Sequence, residues 1–149
     1  MTDQLPQHPI NLEQVFFTRS SVVAVPGHQP VAGLITSAPV NAIDVKKTEG
    51  ATGRYAASMR TVINQAFDKA YPYAIDMECV GIFFADDTLS ETEALRGVTI
   101  TAHNVLYGAI REATAWLTGR QPYGTLMLGL SILRGKPHES GDQPVSSKS

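Results

Sequence analysis

From Arg54 to Cys79 the chain alternates. In "RYAASMRTVINQAF" Tyr55, Ala57, Met59, Thr61 and Ile63 share one face, and Ser58, Arg60 and Asn64 share the other. In "YAIDMEC" Tyr73, Ile75, Met77 and Cys79 alternate with Asp76 and Glu78. A period of two predicts antiparallel strands with one wet side, and Asp68-Lys69 lies between them as a hairpin turn should. Upstream, "LEQVFFTRSSVVAV" is rich in aromatic and β-branched residues and stops at Pro26-Gly27, a further strand. "VNAIDVKK" is another, with Ile43 and Val45 facing one way and Asp44 and Lys46 the other, and Gly50 to Gly53 marks the turn after it.

Beyond these strands the period changes. Ser90-Glu91-Thr92-Glu93 has the spacing of a capping box, the serine accepting from a free amide and the glutamate reaching back. Leu106, Ile110, Ala113 and Leu117 follow at helical steps, and Gly119 with Arg120 supplies the stop. Gly97 and the β-branched run Val98 to Thr101 are poor helix material, so a break between two helical pieces is expected. "TLMLGLSIL" is too short to assign by period, and strand is the preferred reading. The order predicts an α+β fold, a four-stranded antiparallel sheet followed by a long broken helix. Residues 1–10 read as a flexible arm, 11–133 as a single domain and 134–149 as a disordered tail. One helix cannot cover Phe16, Phe17, Ile82, Phe83, Phe84 and Trp116, which points to a second subunit.

Composition narrows the classes. Hydrophobic residues make up 43% and charged residues 17% of the 149, below the ~25% charge of typical soluble domains. A net charge of −2 gives no electrostatic reason to expect nucleic-acid binding. No stretch approaches the ~18 apolar residues of a membrane span, the N-terminus lacks a secretory pattern, and the one cysteine cannot pair internally. A cytoplasmic protein is expected.

Chemical signals are sparse. There is no C-x-x-C, H-E-x-x-H, G-x-S-x-G, phosphate loop or dinucleotide fingerprint, so no metal and no cofactor are expected. Of four histidines only His103 falls in a structured segment, and an ordinary helix-surface or interface role suits it better than a general base. Cys79, on an apolar strand face, reads as a small buried hydrophobe rather than a nucleophile. Asp76 and Glu78 point the same way, which excludes opposed acid and base roles and leaves open a solvated face or an acidic docking patch.

Several ordered stretches resemble the protein-export chaperone family SecB. The residues are Asn104-x-Leu106-Tyr107, Ala109-x-Arg111-Glu112, Arg120-x-x-Tyr123 and Leu126-x-Leu128. "QVFFTRSSVVAVP", "PVNAIDV" and "IDMECVGIF" look like the family's first, second and fourth strands, so the likeness spans roughly Leu12 to Leu133. It implies an ATP-independent holdase, not an enzyme, which keeps unfolded client polypeptides in apolar grooves for protein export or for a dedicated client. It also implies a homotetramer, a dimer of dimers paired through first strands. By position, Ile43, Val45, Ile82, Leu126 and Leu128 would line the client groove, although ordinary core packing is equally open for them. Asn104, Tyr107 and Arg111 would carry oligomer contacts, and Asp76 with Glu78 a partner-docking patch. The family docks the SecA motor through acidic residues on its first strand. Ser20 and Ala24 stand there in this chain, which weakens docking of so basic a partner. The family's C-terminal helix has no counterpart after Leu133.

A different class, a hot-dog enzyme acting on small ligands or thioesters, also wraps a sheet around a long helix. Its catalytic acid would be Asp44 or Glu112, with His103. It needs several strands after the helix, and only one short candidate is present.

Overall fold

The computed structural model describes residues 8–33 and 37–133, so most of the predicted arm and all of the predicted tail lie outside the described residues. Four strands, β1 (Ile10–Ala24), β2 (Val40–Lys47), β3 (Arg54–Ile63) and β4 (Tyr73–Ala85), precede a helix, α1 (Glu91–Thr118). The strands form one antiparallel sheet in the order β1-β4-β3-β2. β3 and β4 are central, and their alternation becomes burial. Tyr55, Met59, Ile63, Ile75, Met77 and Cys79 are sealed beneath α1, while Arg60, Asp76 and Glu78 line the other side.

β1 is an edge strand of 15 residues with two register shifts against β4, between Leu12 and Gln14 and between Phe17 and Arg19. Each inserts an unpaired residue, Glu13 and Thr18, so Phe17 faces the helix side and Arg19 the open side.

The capping box forms as predicted. Ser90 Oγ accepts from the Glu93 amide at 3.2 Å, and Glu93 Oε2 accepts from the Ser90 amide at 3.0 Å. The expected break does not occur, and α1 runs through Gly97–Thr101 without interruption. Packing overrides propensity there: Val98 is fully buried, Thr99 Oγ1 donates back to the Leu95 carbonyl at 2.7 Å, and a side chain at Gly97 would press within 3.3 Å of Ile10. Gly119 ends the helix in right-handed geometry. A Cβ at Gly119 would lie 3.1 Å from Thr125 Oγ1, a tight fit against the returning chain.

Two further expectations are corrected. Phe83 needs no second subunit: it is fully buried, and the bare backbone of Gly81 leaves room for its ring. The segment "TLMLGLSIL" joins no sheet.

Candidate functional site

Residues Thr125–Leu133 form a strap laid antiparallel along α1. The turn leading into it is pinned to the ends of β1 and β4. Tyr73 Oη donates to the Gly124 carbonyl at 2.7 Å, Tyr123 Oη to the Val25 carbonyl at 3.1 Å, and Gln121 Nε2 to the Val22 carbonyl at 3.0 Å. Burial raises the pKa of the Tyr73 hydroxyl, keeping it a donor.

From there helix side chains hold the strap's backbone, as ladder bonds hold a strand. Thr118 Oγ1 accepts from the Leu126 amide at 2.8 Å. Arg111 Nε donates to the Leu128 carbonyl at 2.8 Å, and Tyr107 Oη to the Gly129 carbonyl at 2.7 Å. His103 Nε2 lies 3.2 Å from Ser131 Oγ. Along the helix, Thr118 to His103 spans about 22 Å at ~1.5 Å per residue. Leu126 to Ser131 reaches about 17 Å only at the ~3.3 Å rise of a strand, so the strap is extended. Leu126 and Leu128 turn into the core, and Met127, Leu130 and Ile132 turn to solvent, 63%, 85% and 82% exposed.

The predicted groove residues therefore occupy three settings. Leu126 and Leu128 are packed by the chain's own core. Ile43 and Val45 are half-buried on the helix side of edge strand β2. Ile82 is half-buried on the opposite face of the sheet. Of the predicted interface residues, Asn104 is exposed, whereas Tyr107 and Arg111 bond the strap. The strap's outward side chains were not among the sequence candidates. Alternation from Leu126 signals Met127 alone; Leu130 and Ile132, in step with Leu126, are exposed against it.

On the open sheet face, Asp76 is flanked by two arginines that sequence alone did not assign to it. Arg60 grips it with two hydrogen bonds of 2.9 and 2.7 Å, and Arg19 adds one of 2.8 Å. The Arg60 hydrogen bonds, opposed by partial burial and helped by Arg19, hold the Asp76 carboxyl at a pKa of about 2. Thr18 Oγ1 donates to Glu78 Oε1 at 2.6 Å. Aliphatic and aromatic side chains, Phe16, Val80, Ile82 and Phe84, surround one end of this cluster.

The candidates for catalysis are not brought together. Asp44 sits on the open sheet face, Glu112 on the exposed side of α1, and His103 is buried beside the strap. No strand follows α1 among the described residues, where a hot-dog arrangement needs several. Burial pushes the Cys79 thiol up to about 11, leaving it un-ionised at neutral pH. Among the described residues no group of His, Cys, Asp and Glu is placed to hold a metal ion. No helix among them is long and apolar enough to cross a membrane.

A four-stranded antiparallel sheet followed by one long helix is a SecB-like α+β fold. The chain is similar to the solved structure of the Mycobacterium tuberculosis Rv1957 SecB-like chaperone in complex with a ChAD peptide from the Rv1956 HigA1 antitoxin. That match has a TM-score of 0.60 and 18% identity over 85% of this chain and 94% of the other. A Streptococcus agalactiae protein of unknown function also shares the fold, with a TM-score of 0.50 and 13% identity over 81% of this chain and 97% of the other. No protein-family model matches the sequence, and no curated protein does.

Proposed function

We propose that this protein is a chaperone of the holdase kind, binding unfolded polypeptide segments without nucleotide and without catalysis. The observation that carries the reading is apolar surface left over after a complete core has formed. Phe16, Phe17 and Trp116, with Met127, Leu130 and Ile132 of the strap, remain exposed around a sheet and helix that already seal their shared interior. A surface of that kind is a recognised mark of an interaction site, and several shallow contacts acting together bind a client without demanding one sequence. The similar mycobacterial chaperone is itself bound to a peptide, which supports the same role for this chain.

In this proposal the client surface lies on the helix side, where Ile43 and Val45 join the strap anchored by Leu126 and Leu128, and Ile82 serves a separate patch across the sheet. The long free edge of β1 pairs with a second copy, removing an edge that would invite aggregation. Dimers then associate as a tetramer through the exposed side of α1, including Asn104, while Tyr107 and Arg111 act at one remove by fixing the strap. The protein works in the cytoplasm, in export or for a dedicated client. Asp76 and Glu78 are a poor beacon for a basic partner such as SecA, because Arg19, Arg60 and Thr18 already occupy them.

The test is light scattering of a reduced, unfolded client without ATP. Roughly stoichiometric protein suppresses aggregation, and Ile43→Asp weakens the effect. Wild-type protein that leaves aggregation unchanged would refute the proposal.

A further inference from the structure

The strap uses only one side of its backbone. The Leu126 amide and the Leu128 and Gly129 carbonyls bond inward to α1. Every other backbone N–H from Thr125 to Leu133 lacks a partner among the described residues. From Leu126 to Leu128, both bonded inward, the alternation of an extended chain aims the backbone groups of Met127 outward, and the inward Gly129 carbonyl ends that alternation.

Proteins ordinarily blunt such an edge with lysine, proline or another charge. "TLMLGLSIL" contains neither a charge nor a proline, and Met127, Leu130 and Ile132 stand exposed along it. Ile100, also exposed, continues the helix stripe of His103, Tyr107 and Arg111 past the point where Ser131 meets His103. The edge therefore offers unspent hydrogen-bond donors beside exposed apolar side chains.

The chain's own continuation is not suited to fill it. Residues 134–149 hold one aliphatic side chain, Val145, and two prolines, Pro137 and Pro144, which cannot donate to a ladder. Charge narrows the occupant further. The helix stripe carries Arg96 and Arg111 and the turn carries Arg120, while Thr118–Leu133 holds no carboxylate and Glu93, one turn before Arg96, is folded back onto the Ser90 amide. A basic segment is repelled there and an acidic one attracted.

We infer that the outer edge of the strap around Met127 takes up an extended, apolar, acid-flanked segment of a non-native polypeptide as an added β-strand. The mode is backbone pairing beside alternate side-chain contacts. It rests on the chaperone reading and specifies how, and for which segments, that surface works.

Three synthetic peptides and amide exchange by NMR on the isotope-labelled full chain test it. The first has a Leu-Val-Phe-Val-Leu core flanked by glutamates, the second the same core flanked by lysines. The third is the glutamate peptide with alternate core amides N-methylated. Binding of the first slows exchange at Met127 about tenfold or more, while Leu126, already bonded to Thr118, changes little. The lysine peptide binds several-fold more weakly, and the N-methylated peptide gives no protection. A glutamate peptide that binds while Met127 exchange stays unchanged overturns the edge pairing and leaves the holdase reading standing. Tighter binding of the lysine peptide overturns the acid-flanked occupant. Protection of Met127 by raised protein concentration alone overturns it too, assigning the edge to a second copy. No binding by any peptide, together with no suppression of aggregation, removes this inference and the chaperone reading together.

Discussion

Replacing Thr118 by valine keeps the shape of the side chain and removes one oxygen. That oxygen is fully buried, donates to the Thr114 carbonyl at 2.7 Å and accepts from the Leu126 amide at 2.8 Å. The Thr114 carbonyl keeps its ordinary helical bond from the Thr118 amide, so its loss is minor. The Leu126 amide has no other acceptor, and leaving it unpaired in the interior costs about 1–3 kcal/mol. One turn earlier, Thr114 is equally buried, but its hydroxyl has no hydrogen-bond partner. Valine there removes an unsatisfied group and changes nothing else, so a gain of about 1 kcal/mol is expected. Two chemically identical substitutions on one helix face should therefore move stability in opposite directions. For a chain of this size each ~1 kcal/mol shifts Tm by roughly 2–4 °C. Urea unfolding followed by circular dichroism, at matched protein concentration in case subunits associate, measures both. Equal destabilisation by the two variants would mean that methyl packing, and not the strap bond, controls this region.

Acid weakens the open sheet face. Asp76 titrates near 2 when folded and near 4 when unfolded, so its contribution is complete above about pH 4 and lost as pH falls towards 2. With the carboxylate side chain 25% exposed, about 1 kcal/mol remains after allowance for solvent screening. Asp76→Asn should flatten that part of the urea-midpoint profile, and unchanged curves would remove the arginine clamp as its cause. Gly81→Ala places a Cβ 2.6 Å from the Phe83 ring and 3.1 Å from Leu106. A loss of about 1–3 kcal/mol is expected from overpacking, and a variant melting with wild type contradicts the close fit. Cys79, fully buried with its thiol pushed up to about 11, should react with a thiol reagent at pH 8 only as fast as the protein opens. Rapid labelling of native protein would show that the β4 face is accessible.

The fold was most legible where one periodicity ran undisturbed. The predicted limits of β2, Val40 to Lys47, agree with the structure residue for residue, and the capping box located the start of α1. Legibility failed where distant contacts decided the outcome. Gly97 and its β-branched neighbours disfavour helix locally, yet the close pass of Ile10 and the burial of Val98 keep α1 continuous. The strap has strand composition but no ladder, because Tyr107, Arg111 and Thr118 take the place of a neighbouring strand. The strand period placed Asp76 outward, but only the register of β1 and β3 against β4 puts Arg19 and Arg60 beside it.

The two sides of the sheet consequently differ as sources of partner selection. On the open face the charges are matched locally: Arg19 and Arg60 on Asp76, Arg54 on Glu13 at 3.2 Å, and Lys46 on Asp44 at 3.5 Å. Pairs so arranged cancel within a few ångströms, so that face projects little field beyond the ~8–10 Å screening length of physiological salt. A partner meeting it is read by shape and by Phe16, Val80, Ile82 and Phe84, with slight dependence on ionic strength. Around the strap the charged residues of the stripe and turn are arginines alone, Arg96, Arg111 and Arg120. None of them is cancelled by a salt-bridge partner among the described residues, so each keeps a local positive field. In the proposed chaperone role, selection by charge would therefore fall to the helix side, a client's acidic flanks acting on its rate of capture and its apolar core on its release.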